Sequence, residues 1–118
     1  MKICMIGTGY VGLVTGACFS DLGNTVYCVD IDEKKIDMLN SSEIPIYEPG
    51  LSEIVEKNYL SNRLKFTTDI NLAVKSSDII FISVGTPTLK KTNSADPRFV
   101  FNAAKKISKN INKFKIIV

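Results

Sequence analysis

Near its start the chain runs from a short apolar stretch through a three-glycine turn into a helix, an order that few folds accommodate. Ile3-Cys4-Met5-Ile6 is wholly apolar and ends on Gly7, and Gly9 and Gly12 complete a G-x-G-x-x-G pattern. An apolar run this short, without polar alternation, reads as a strand buried on both faces, as in a parallel sheet. From Val11 to Leu22 the apolar residues Val11, Val14, Cys18 and Leu22 recur at helical spacing, and Gly23-Asn24 supplies a left-handed stop.

The alternation continues along the chain. Thr25 to Asp30 reads as a second strand, and Asp32 caps a helix through Leu39 with Ile36 and Leu39 inward. A loop from Ser41 to Gly50 carries PIYEPG, whose two prolines exclude regular helix or central strand. Leu51, Ile54 and Val55 mark a short helix, Leu64 to Thr67 a third strand, and Thr68 or Asp69 caps a helix to about Lys75. Asp78 to Val84 is the clearest buried strand, stopped by Gly85-Thr86-Pro87. Asp96 at an N-cap with Pro97 in the first helical position predicts a further helix. Val100, Ala103, Ala104 and Ile107 share one of its faces, and Lys105, Lys106 and Lys109 lie off it. Lys115 to Val118 begins a fifth strand. Strand and helix in strict alternation imply an α/β fold, a doubly wound parallel sheet of the Rossmann type, with right-handed crossovers and strand order 3-2-1-4-5. A sequence that stops inside a buried apolar run leaves an uncovered edge, so the chain is expected to be part of a longer protein, truncated in or after the fifth strand.

The glycine pattern acquires a chemical meaning in that context. Gly7 permits a tight turn, Gly9 lets backbone approach a pyrophosphate, and Gly12 lets the helix pack close to the strand. Free N–H groups at the helix start favour phosphate charge. Asp30 ends the second strand 18 residues past Gly12, near the ~20-residue offset of a carboxylate that accepts hydrogen bonds from an adenosine ribose. A 2′-phosphate would meet like charge there, so NAD is expected over NADP, although Lys34 and Lys35 lie nearby. Ligands of such sheets bind where strand order reverses, here between the first and fourth strands. The facing loops are Gly7 to Gly12 and Ser83 to Pro87, which brings Gly85 and Thr86 beside the cofactor. The plainer reading makes the glycines packing devices, Asp30 a helix cap and Thr86 a turn residue. Motif, context and acidic residue agree on the cofactor.

Composition narrows the alternatives. The 118 residues make one domain, and the net charge of +3 comes from lysines scattered through the second half. No basic stripe with stacking aromatics suggests a nucleic-acid partner, and no apolar stretch approaches the ~20 residues of a membrane span. Lys2 is followed at once by a short apolar run ending in the glycine loop, unlike a signal peptide, so a cytoplasmic protein is expected. Cys4, Cys18 and Cys28 are odd in number, lack C-x-x-C spacing and have no histidine to join them. Each is expected to be a small buried hydrophobe, with no metal site.

Several separated motifs together resemble the UDP-glucose/GDP-mannose dehydrogenase family: MKICMIGTGYVGLVTG, CVDIDEKKI, PIYEPGL, FISVGTP and SAD, in the family's order across nearly the whole chain. The full PIYEPGL points toward the UDP-glucose member. The resemblance implies that residues 1–118 form the NAD-binding domain, with cofactor contacts at Val11 (backbone), Asp30, Lys35 and Thr86. Tyr10 matches the aromatic residue after the second glycine, and packing on the loop is its plainer role. Glu48 reads as a loop-fixing or interface residue. Where the family has an Asp-Gly turn before SAD, this chain has Lys91-Thr92-Asn93, and Asn93 tolerates the left-handed conformation a glycine would supply. Pro97 stands where a leucine is common.

Members of that family oxidise a sugar alcohol to a carboxylate with two NAD, through a thiohemiacetal and a thioester on a cysteine. The resemblance places the catalytic cysteine, lysine, asparagine and aspartate, and most of the nucleotide-sugar site, outside this segment. The segment alone is therefore expected to be inactive, and the full-length protein to be a homo-oligomer. Two other readings compete: a stand-alone NAD-binding sensor or interaction module with the fifth strand as docking edge, or another NAD-linked dehydrogenase of the hydroxyacyl-CoA or phosphogluconate type. Within the family, a GDP-mannose or UDP-N-acetylmannosamine enzyme is the nearest alternative.

Overall fold

A computed structural model describes residues 1–118. Five parallel strands, β1 (Lys2–Ile6), β2 (Thr25–Val29), β3 (Leu64–Thr67), β4 (Ile79–Ile82) and β5 (Ile116–Ile117), form one sheet in the order β3-β2-β1-β4-β5. Five helices connect them: α1 (Tyr10–Asp21), α2 (Glu33–Asn40), α3 (Leu51–Leu60), α4 (Ile70–Ser76) and α5 (Arg98–Ser108). None of the helices is long and apolar enough to cross a membrane.

Central β1 pairs on both sides, with Ile3 opposite Val26 of β2 and Ile79 of β4. Because successive strand side chains point to opposite faces, its apolar run feeds two cores. Ile3 and Met5 join Val26, Cys28, Leu64 and Phe66 under α1, α2 and α3. Cys4 and Ile6 join Val29, Ile80, Ala103 and Ile107 on the face of α4 and α5. Helices on both faces explain why this strand shows no polar alternation.

Local signals set the helix ends. Asp32 accepts hydrogen bonds from the Lys34 and Lys35 N–H groups, and Asp69, rather than Thr68, accepts one from Leu72. Gly23 at φ +96° closes α1: its N–H donates to the Ser20 carbonyl and that of Asn24 to the Phe19 carbonyl. Asn93 adopts φ +54°, the left-handed conformation expected of it, with its N–H donating to the Leu89 carbonyl.

Five expectations need correction. The inward face of α1 is Gly12, Leu13, Gly16, Ala17 and Ser20, whereas Val11 and Leu22 are exposed. The helix lies too close to the sheet for large side chains: a Cβ on Gly16 would sit 2.7 Å from Cys28 Sγ and 3.2 Å from Met5 Cγ. Cys18, on the far face, is consequently exposed, while Cys4 and Cys28 are buried. In β4 only Ile80 is fully buried, since its outer neighbour β5 is two exposed residues long. Finally, α5 starts one residue later than expected, with Pro97 at the N-cap. Asp96 sits just outside, accepting from the Arg98 N–H at 3.1 Å while the Arg98 guanidinium grips its carboxylate. The buried face of α5 consists of Ala103 and Ile107 with Val100 half-buried, and Ala104, expected to share that face, is exposed.

This packing separates two positions on α1. Leu13→Ala should lower unfolding free energy by about 2–5 kcal/mol, and Val11→Ala should change it by less than about 0.5 kcal/mol. Urea denaturation of the two variants checks this.

Candidate functional site

Where β1 ends, the chain turns through Gly7 at φ +104° and enters α1 with Gly9 at the N-cap. The turn is anchored on both sides. The Gly7 N–H donates to the Val29 carbonyl at 2.7 Å, and Ser83 Oγ at the end of β4 donates to the Ile6 and Gly7 carbonyls at 2.9 and 3.2 Å. A Cβ on Gly7 would lie 2.5 Å from the Ser83 carbonyl oxygen. A Cβ on Gly12 would lie 1.9 Å from the Gly7 carbonyl oxygen, so the first turn of α1 is pressed directly onto the loop.

Gly9 is different. Its φ of −69° suits any residue, and nothing lies within 4 Å of the position its Cβ would take. The fold makes no steric demand for glycine here, and the space left free opens into a crevice. The first intrahelical bond runs from the Leu13 N–H to the Gly9 carbonyl, leaving the N–H groups of Tyr10, Val11 and Gly12 without helical partners at the positive end of the helix dipole. Such an end can hold an anion.

Beyond the loop the crevice has a volume of about 410 Å³. Gly7, Gly9 and Gly85 line it at the strand-order reversal, Asp30 and Lys35 line it from the β2 end, and Phe99, Asn102 and Lys106 close it from α5. The Asp30 carboxylate is fixed from several directions. Oδ2 accepts from the Thr8 N–H at 2.9 Å and the Thr8 hydroxyl at 2.6 Å, and Oδ1 accepts from the Asp32 N–H at 3.0 Å. Lys35 Nζ lies 3.7 Å from Oδ2. Partial burial works to raise the carboxyl pKa, but these hydrogen bonds and the Lys35 charge outweigh it and hold Asp30 below the ordinary carboxylate value. Asp30 is therefore a fixed anion at neutral pH, and the Lys35 charge leans on it. Lys34 is exposed, and its backbone N–H donates to Asp32.

The structure thus gathers Gly7, Gly9, Asp30, Lys35 and Gly85 around one crevice. Gly12 lies buried beneath the loop, and the side chains of Tyr10, Val11 and Thr86 face solvent outside it. Sequence reasoning placed Thr8 and Ser83 in the facing loops but missed their hydrogen bonds to Asp30 and to the loop carbonyls, since the variable position of a glycine motif and a strand-terminal serine carry no signal of their own. It also missed that Lys106, read as lying off the inner face of α5, borders the crevice.

Comparison with known proteins fits this geometry. Residues 1–118 match the model of the UDP-glucose/GDP-mannose dehydrogenase family, NAD binding domain. The chain belongs to the UDP-glucose/GDP-mannose dehydrogenase family. It is 57% identical over 117 residues to the UDP-glucose 6-dehydrogenase TuaD of Bacillus subtilis, covering 99% of this chain and 25% of that protein. It is 51% identical to the UDP-glucose 6-dehydrogenase of Rhizobium meliloti, covering 100% of this chain and 27% of the relative. A ternary complex of GDP-mannose dehydrogenase from Pseudomonas aeruginosa superposes with a TM-score of 0.90 at 39% identity, over 96% of this chain and 26% of that one. The chain thus spans about a quarter of the length of these relatives.

In this NAD-binding domain of the family, the three cysteines sit apart from the crevice. Burial pushes the Cys4 thiol up to about 12, with Lys115 opposing it weakly, and raises Cys28 as well. Both remain protonated and unreactive at neutral pH. The glycines yield a paired test. Gly9→Ala should cost under about 1 kcal/mol of stability, chiefly as a poorer cap, and still weaken NAD binding. Gly12→Ala should cost about 1–3 kcal/mol or more by overpacking. Thermal melting with calorimetric NAD titration separates the two.

Proposed function

We propose that this chain holds NAD with its pyrophosphate against the N–H groups of Tyr10, Val11 and Gly12, its adenosine ribose at Asp30 and Lys35, and the bound cofactor passing Gly85 in the crevice and Thr86 just outside it. The observation that carries the reading is the open space at Gly9, next to an exposed helix N-terminus and within reach of a fixed carboxylate. A glycine that the protein's own packing does not require is accounted for by a ligand backbone passing over it. NAD would supply the hydride acceptor, and this chain's residues bind and orient it.

The protein that carries the chain acts, in this reading, as a cytoplasmic UDP-glucose 6-dehydrogenase, oxidising UDP-glucose to UDP-glucuronate with two NAD. Identities of 57% and 51% to enzymes of that name support UDP-glucose as the substrate. Oxidation to a carboxylate through a thioester requires a reactive thiolate at the site, which buried Cys4 and Cys28 do not provide, and exposed Cys18 lies away from the crevice. The chain's own part is nucleotide binding, and the sugar chemistry falls to groups outside it.

The test is NADH formation by the full-length protein supplied with UDP-glucose and NAD. Turnover should occur with NAD and UDP-glucose and be far weaker with NADP or GDP-mannose, and the isolated 118-residue segment should give none. Preference for NADP, or turnover by the segment alone, would contradict the proposal.

A further inference from the structure

Thr8 occupies a position that the glycine motif leaves unspecified, yet its side chain is completely buried and cannot touch a ligand. It makes two hydrogen bonds to a single atom, Oδ2 of Asp30, one from its N–H at 2.9 Å and one from its hydroxyl at 2.6 Å. A carboxylate offers about four acceptor sites, two per oxygen. Thr8 fills both on Oδ2, and the Asp32 N–H fills one on Oδ1. One acceptor site remains, and it lies on Oδ1.

We infer that Thr8 is a positioning and specificity-determining residue for the dinucleotide, acting through Asp30. The inference rests on the NAD reading above. By saturating Oδ2, Thr8 joins the phosphate loop to the ribose clamp as one rigid unit and stops the carboxylate from rotating. The single remaining acceptor on Oδ1 then requires a partner that brings a proton. A ribose hydroxyl donates one; a fully ionised 2′-phosphate has none to give and carries like charge. Lys35, whose ammonium would suit a phosphate, is held near the same anion at 3.7 Å. Without the Thr8 hydroxyl, Oδ2 keeps only the Thr8 N–H and Oδ1 only the Asp32 N–H, so the carboxylate is held more loosely, its hold on Lys35 weakens and the penalty on NADP falls. Thr8 thereby converts a surface carboxylate into a reader of an unphosphorylated ribose.

The test is calorimetric titration of NAD and NADP into the purified full-length protein and its Thr8→Val, Thr8→Ser, Asp30→Asn and Thr8→Val/Asp30→Asn variants. Valine keeps the buried shape and removes the hydroxyl, and serine keeps the hydroxyl. Losing a hydrogen bond to a charged group should weaken NAD binding about tenfold in Thr8→Val, leave NADP unchanged or improved, and so lower the NAD/NADP ratio. Thr8→Ser should stay near the parent, and Thr8→Val should add nothing once Asp30 is Asn. A general loss of packing would weaken both dinucleotides alike, leaving the ratio unmoved. An unmoved ratio, or additive losses in the double variant, would overturn the role of Thr8 while leaving NAD binding intact. Failure of the parent protein to bind NAD would overturn the proposed function and this inference with it.

Discussion

The close approach of α1 to the end of β1 is the contact on which the rest of the site depends. Gly12 and the Gly7 carbonyl leave no room for a methyl group between them, and Gly16 repeats the arrangement one turn on, against Cys28. Both need a helix face of small residues. In return, the N-terminus of α1 starts at Gly9, on the edge of the crevice between β1 and β4 where the strand order reverses. Move the helix outward by the width of a side chain, and the loop loses its support and the N-terminus leaves that edge.

Electrostatics complete what packing begins. A helix N-terminus presents partial positive charge, and a short distance away Asp30 presents a full negative one. A ligand with an anionic centre and a neutral, hydroxyl-bearing flank suits that pair. The carboxylate stays ionised because hydrogen bonds from Thr8 and Asp32 and the nearby Lys35 charge offset its partial burial. The donors come from the phosphate loop and from the turn after β2 and the neighbouring cation from α2, so the charge is held by three separate pieces of chain.

Much of this could be read from the residues. The glycine spacing, the acidic end of the second strand, the strand order and the left-handed Asn93 all follow from rules tied to one residue type at one position. The inward face of α1 did not, because Gly, Ala and Ser carry little hydrophobic periodicity, and the large residues Val11 and Leu22 drew attention to the exposed side. The same misreading buried Cys18. The partly exposed β4 escaped because a run of isoleucines looks the same whether its neighbouring strand is long or two residues short. Thr8 was invisible for a different reason: its role exists only once the first and second strands lie side by side and bring it to Asp30, 22 positions along the chain.

The central claim is that a dinucleotide lies against the first turn of α1 with its ribose at the end of β2. Backbone amide NMR during titration with NAD tests it most directly. The account predicts the largest shifts at Gly9 through Gly12 and at Asp30 through Asp32, with smaller ones at Gly85. Shifts concentrated instead at the shallow concavity along the β3 edge, around Asn40, Tyr59 and Phe66, would contradict it.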